Sequence, residues 1–214
     1  MPIKGKTLLH YVPHGINQEV FRPFDKTEKN LVEGKKRFFN GATYDYSIFF
    51  NSRNVKRKQV SNVLLAFRIF CDSLSPEEAK RVCLILHTEA VGQNGHGTDL
   101  IAVKEAICKN YTVFFSQKKI TPGEMNLMYN LSDVTINVSS NEGFGLSVGE
   151  SIMAGTPIIV NVTGGLQDQC GFTLDGKLLE AEDYVKIGSL HEWRKWEKTV
   201  KFGEWATPIS TNQT

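Results

Sequence analysis

Five short apolar runs, rich in β-branched and aromatic residues, alternate along the chain with stretches of helical periodicity, and few architectures accept that alternation. The runs lie at 46–50, 82–87, 111–115, 134–138 and 157–162. After the first, Val60, Val63, Leu64, Phe67, Phe70 and Leu74 recur at helical steps and predict an amphipathic helix over 59–74. Ser75-Pro76-Glu77-Glu78 and Thr121-Pro122-Gly123-Glu124 each combine a capping hydroxyl, a proline at the first helical position and a glutamate three residues after the cap. They predict a short helix before 82–87 and a longer one to about Leu131. Thr98-Asp99 can cap a further helix to about Lys109. Strands and helices joined by short loops predict an α/β fold, a doubly wound, Rossmann-like parallel sheet with helices on both faces. Such sheets bind ligands beyond the carboxyl ends of their strands, which gathers the loops 51–58, 88–97, 116–120, 139–145 and 163–169.

The flanks are harder to read. A short strand is expected at 8–12, ended by Pro13-His14-Gly15, and the polar stretch 22–45 reads as a linker or surface loop. The expected division is therefore a segment and linker at 1–45, the Rossmann-like domain at 46–170, and a loop-rich tail at 171–214 with one helix near 190–199. With 214 residues, 41% of them hydrophobic, the chain can bury one large core. Its net charge of +2 predicts no strong attraction to nucleic acid or membranes and leaves room for a basic local site. Cys71, Cys83 and Cys108 sit in apolar segments and, like Cys170, form no C-x-x-C pair, so buried free thiols are expected rather than zinc ligands. No apolar run approaches the ~20 residues of a membrane span, and a cytoplasmic location is expected.

The chemistry concentrates in residues 139–150, Ser-Ser-Asn-Glu-Gly-Phe-Gly-Leu-Ser-Val-Gly-Glu, between the runs at 134–138 and 157–162. Gly143 and Gly145 let backbone approach a ligand closely, and a helix beginning near Leu146 offers free N–H groups to an anion. Glu142 and Glu150 flank that turn, and a carboxylate suits a vicinal diol. A nucleotide-sugar site is the expectation. A second cluster, Arg53, Lys56, Arg57 and Lys58, follows the first strand, where fixed cations would stabilise a departing diphosphate.

The stretch from Met128 to Gly165, with Ser-Asn-Glu-Gly-Phe-Gly-Leu, Glu-Ser-Ile-Met-Ala-Gly-Thr-Pro and Thr-Gly-Gly, resembles the retaining glycosyltransferases of the two-domain B-type (GT-B) fold, glycogen-synthase-like group. Tyr11-Val-Pro-His-Gly-Ile-Asn and Phe50-Asn-Ser-Arg-Asn-Val-Lys-Arg-Lys extend the likeness over about 8–165. The resemblance implies that Glu150 holds the donor ribose, that Glu142 contacts the transferred sugar, and that backbone at Phe144–Leu146 meets sugar and phosphates. It implies Arg53 and Lys58 as the diphosphate cations, with Arg57 able to replace either. Ile120 or Phe115 would lie against the nucleobase, ordinary core packing being the alternative, and Gly164 and Gly165 would belong to a loop closing on the donor, a plain turn being the alternative.

The implied reaction moves a sugar from a nucleoside-diphosphate sugar to an acceptor hydroxyl, such as that of a glycan, with retention. No cofactor beyond the donor and no metal is expected, since no Asp-x-Asp occurs. The segment matching the interdomain region starts at residue 8, so the acceptor is expected to be met through an N-terminal domain missing from the chain, and the chain to bind donor but transfer poorly alone. The alternative is a non-catalytic nucleotide-sugar-binding module or a subunit of a split enzyme. Gly92–Gly97 reads as a turn, His87 and His96 with Cys83 lack metal spacing, and His14, His191, Trp193, Trp196 and Trp205 read as structural or exposed.

Overall fold

The computed structural model describes residues 14–92, 97–179, 183 and 200–209. The apolar runs form β1 (Tyr46–Asn51), β2 (Val82–His87), β3 (Thr112–Ser116), β4 (Val134–Asn137) and β5 (Ile158–Asn161). Between them lie α2 (Val60–Asp72), α3 (Pro76–Ala79), α4 (Leu100–Ile107), α5 (Pro122–Asn130) and α6 (Leu146–Met153), preceded by α1 (Lys29–Phe38). All five strands pair in parallel, in the order β3-β2-β1-β4-β5. Alternate residues of β1 and β2 enter two different cores. Phe50, Leu84 and Leu86 pack with Val63, Leu64 and Phe67 of α2, whereas Phe49, Cys83 and Ile85 pack with Met128, Tyr129 and Leu131. Burial on both faces is what a continuous apolar strand requires, and it produces the doubly wound parallel sheet.

The predicted caps form. Ser75 and Thr121 each close a reciprocal capping box, with Glu78 and Glu124, and the Asp99 carboxylate accepts the Ala102 N–H. All four cysteines are free and buried. Burial pushes Cys71 up to about 11 and Cys83 and Cys170 up to about 12, so they stay as thiols.

Two stretches differ from the sequence reading. Residues 22–45 are not a linker, because α1 packs on α5 through Leu31 and Gly34. A Cβ at Gly34 would meet Leu127 Cδ2 at 2.7 Å, so glycine lets the two helices approach. Asn126 and Asn130 of α5 also bind the 22–24 backbone, accepting the N–H groups of Arg22 (3.1 Å) and Phe24 (2.6 Å). Charge concealed this helix, since Lys29, Glu33, Lys35, Lys36 and Arg37 leave few apolar positions to carry a period.

The tail, in turn, completes the main sheet. After α7 (Leu166–Gln169), the short strands β6 (Thr173–Leu174), β7 (Lys177–Leu178) and β8 (Val200–Lys201) form a small antiparallel sheet. Then β9 (Ala206–Ile209) pairs in parallel with β5 as a sixth strand. The predicted strand at 8–12 and helix near 190–199 lie outside the described residues.

Candidate active site

Register sets the floor of the site. Asn51, His87 and Ser116 are ladder partners at the carboxyl ends of β1, β2 and β3. Beyond these ends opens a cleft of about 660 Å³, walled by the loops after β1, β2 and β3 and by the start of α6. Four of the five predicted loops meet there; the loop at 163–169 does not line it.

After β1 the chain passes Arg53 and makes one 3-10 turn, Lys56–Lys58, before α2. Within this turn Arg57 remains partly exposed while the Lys58 side chain is 10% exposed. Both reach Glu142. The Lys58 ammonium donates to Oε1, and Arg57 Nη1 lies 3.2 Å from Oε2 and 2.7 Å from the Asn141 carbonyl. Ser139 Oγ donates to Oε1 at 2.9 Å. Burial pushes the Glu142 carboxyl up, but the bond and charge of Lys58, with the Ser139 and Arg57 bonds, outweigh it and hold the group below the ordinary glutamate range. Glu142 is thus a buried anion clamped by two of the predicted diphosphate cations. Arg53 stands apart on the cleft wall, and Glu89 is held low by the Asn54 N–H at 2.9 Å, with a smaller contribution from the charge of Arg53.

The strand-to-helix turn explains Gly145. It caps α6 at φ +81°, and a Cβ there would lie 2.5 Å from Leu166 Cδ2. No side chain caps α6; the Val148 N–H bonds the Gly145 carbonyl at 2.9 Å, the N–H groups of Leu146 and Ser147 have no acceptor among the described residues, and Gly145, Leu146 and Ser147 all line the cleft. Phe144 lines it too, its ring tilted by 41° against that of His14 with 5.0 Å between centroids. Gly143 is outside the lining, and no atom approaches within 4 Å of where its Cβ would be.

One turn into α6, Glu150 faces the same cleft. Burial raises its carboxyl above the ordinary value, opposed by a bond from Tyr129. The Tyr129 hydroxyl donates to Glu150 Oε2 at 2.8 Å and accepts from Asn51 Nδ2 at 2.9 Å.

Four other predicted residues lie outside the cleft lining. The Gly165 N–H donates to the carbonyls of Glu142 (3.2 Å) and Gly143 (3.0 Å), and a Cβ on Gly164 would sit 1.9 Å from the Glu142 oxygen. These glycines support the Glu142 loop from outside the cleft. Ile120 and Phe115 line an adjoining cavity of about 310 Å³ that shares Ser116, Gln117 and Lys118 with the cleft. Gly92 and Gly97 approach each other, and Gly97 lies against Asn54, whose Nδ2 donates to the Thr98 carbonyl at 2.6 Å; residues 93–96 lie outside the described set.

The sequence reading missed Asn51, His87, Ser116, Glu89, Lys118 and Lys119, all on the cleft, and Tyr129 beneath it. Their one common signal is position, since all but Tyr129 lie at or just beyond a strand's carboxyl end. His87 Nδ1 lies 3.0 Å from Ser116 Oγ, and burial pushes this imidazole below its ordinary value. Among the described residues no group of three or more His, Cys, Asp or Glu could hold a metal ion. The cleft thus presents five cations and a helix N-terminus to an anion, and carboxylate to a hydroxyl.

No curated protein matches the sequence. Among solved structures, the chain is similar to the C-terminal domain of a glycosyl transferase group 1 family protein, LpcC, from Francisella tularensis, at 18% identity and TM-score 0.57, over 86% of this chain and 87% of that one. Sucrose-phosphate synthase from Thermosynechococcus elongatus follows at 19% identity and TM-score 0.57, over 87% of this chain and 44% of that one. A trehalose-6-phosphate structure from E. coli, bound with UDP-2-fluoro glucose, matches at 15% identity and TM-score 0.51, over 71% and 37%. The chain therefore spans less than half the length of the last two, and at these identities the likeness is one of fold, that of a GT-B C-terminal domain. The family model described as glycosyl transferases group 1 matches residues 33–187, well over half of the chain, and the chain belongs to that family.

Proposed function

We propose that the cleft binds a nucleoside-diphosphate sugar and that this chain supplies the donor side of a sugar transfer with retention of anomeric configuration. The observation that carries the reading is convergence: cations after β1, the uncapped start of α6 and the Glu150 carboxylate all open onto one cavity. A diphosphate at the amino end of α6 would gain backbone donors and the helix dipole. Glu150, one turn further on, would then accept from the ribose hydroxyls. Of the three predicted diphosphate cations, Arg53 is the one free of Glu142 and would be the first of them to meet phosphate. The adjoining cavity, with Phe115 and Ile120, suits the apolar faces of a nucleobase. The E. coli neighbour's UDP-sugar is consistent with a donor of this class.

In the transfer the bond between the anomeric carbon and the diphosphate oxygen breaks, its electron pair leaving with the diphosphate. The acceptor oxygen bonds to the same face of that carbon, and its proton passes to a phosphate oxygen. Charge grows on the leaving group, so cations fixed beforehand lower the barrier. The acceptor would be met by residues beyond those lining this cleft.

Calorimetry with UDP, GDP, ADP and their glucose conjugates tests the donor assignment. Saturable binding of at least one pair is expected, weakened in Arg53→Ala far more for the diphosphate than for the nucleoside. Equal losses for the two would break the phosphate assignment. Transfer to an added acceptor separates an enzyme from a binding module.

A further inference from the structure

Tyr129 is fully buried and fixed between two polar groups. Asn51 Nδ2 can only donate, so at 2.9 Å it occupies a lone pair of the Tyr129 oxygen, and the hydroxyl's one proton goes to Glu150 Oε2 at 2.8 Å. Asn51 is steadied in turn by Met125 Sδ at 3.3 Å. The chain Asn51–Tyr129–Glu150 therefore joins the end of β1 through α5 to the first turns of α6. It engages one carboxylate oxygen from inside the fold, and Glu150 Oε1 has no hydrogen-bond partner among the described residues.

From this geometry we infer that Tyr129 and Asn51 are positioning residues that aim Glu150 Oε1 into the cleft, so that it discriminates ribonucleotides from their 2′-deoxy counterparts. The inference rests on reading the cleft as a nucleotide site and deepens it. A hydroxyl donating to a carboxylate also favours the ionised form, the only form that accepts at both oxygens. Burial alone drives the carboxyl the other way. Without Tyr129 the side chain would lose its fixed rotamer and part of its ionisation, and the advantage of a 2′-hydroxyl would fade.

The test compares wild type, Tyr129→Phe, Asn51→Ala and Glu150→Ala by calorimetry with UDP, GDP, ADP, their 2′-deoxy forms and inorganic pyrophosphate. Tyr129→Phe keeps the buried ring, and thermal unfolding checks that it folds. It is expected to weaken ribonucleotide binding by about tenfold, the scale of one hydrogen bond to a charged group. The ribo-to-deoxy ratio should fall toward one, with pyrophosphate affinity unchanged. Asn51→Ala should move the ratio in the same direction by less. By NMR the Glu150 carboxyl carbon should titrate at higher pH in Tyr129→Phe than in wild type. The other titratable groups of the cleft, His14, His87, Glu89 and Glu142, and its five cations are the same in both proteins. An unchanged ratio, an unchanged titration, or equal loss of nucleotide and pyrophosphate overturns the positioning role. If Glu150→Ala leaves ribonucleotide affinity intact, or no nucleotide binds wild type, the nucleotide reading itself falls.

Discussion

Glu142 and Glu150 are both glutamates on one short loop-and-helix segment, yet the fold gives them opposite electrostatics. Glu142 is held low by Lys58, Ser139 and Arg57 against its burial, and Glu150 is raised by burial with one donor against it. Lys58→Ala should therefore do more than remove a phosphate contact. It strands a buried carboxylate and should destabilise the protein by about 3 kcal/mol, whereas the double variant with Glu142→Ala should lose less than the sum. Denaturant unfolding of the four proteins measures the coupling, and strict additivity would show the pair to be energetically idle. Glu150→Ala should weaken nucleotide binding by about 1–3 kcal/mol, read by calorimetry. The sequence named Glu142, Glu150 and the cations Arg53, Arg57 and Lys58, but the pairing of Lys58 with Glu142 joins residues 84 positions apart and has no local trace.

Helices, strands and turns were legible where local chemistry decided them. The helix expected at 59–74 spans Val60–Asp72, and both proline-containing capping boxes form. Thr121→Ala should cost about 1 kcal/mol of unfolding free energy through the lost cap. The 163–165 turn illustrates the opposite case. Its glycines read as a donor-closing loop or a plain turn, and their packing on the backbone of Glu142 and Gly143 leaves no local trace. Gly164→Ala, at φ +48° and against a carbonyl oxygen, should destabilise by at least about 2 kcal/mol and loosen the Glu142 loop. Thermal unfolding checks this, and an unchanged midpoint would mean the turn relaxes freely. Helix α1 and strand β9 escaped the reading because one is masked by charge and the other, four residues holding a proline, has no pattern until β5 pairs with it.

Across the whole molecule the two glutamates give stability a pH signature. A carboxyl held low in the folded state adds stability above the ordinary glutamate value of 4.5 and loses it as pH falls through the folded value. Glu142 is of that kind. Glu150, raised, favours folding below 4.5 and loses that contribution as pH rises through its folded value. Glu150→Gln should therefore raise the melting temperature at pH 7 and lose the advantage near pH 4, while binding nucleotide less well. A lower melting temperature at pH 7 would contradict the burial assigned to it. Among the described residues no helix is long and apolar enough to cross a membrane. The sequence by itself determined the alternation of strands and helices, the caps, and the loop that carries the acids, because these depend on residues within a few positions of one another. Only the tertiary structure decided that Lys58 meets Glu142, that Tyr129 meets Glu150, and that the 206–209 segment closes the sheet, because each depends on which distant segments the parallel register brings together.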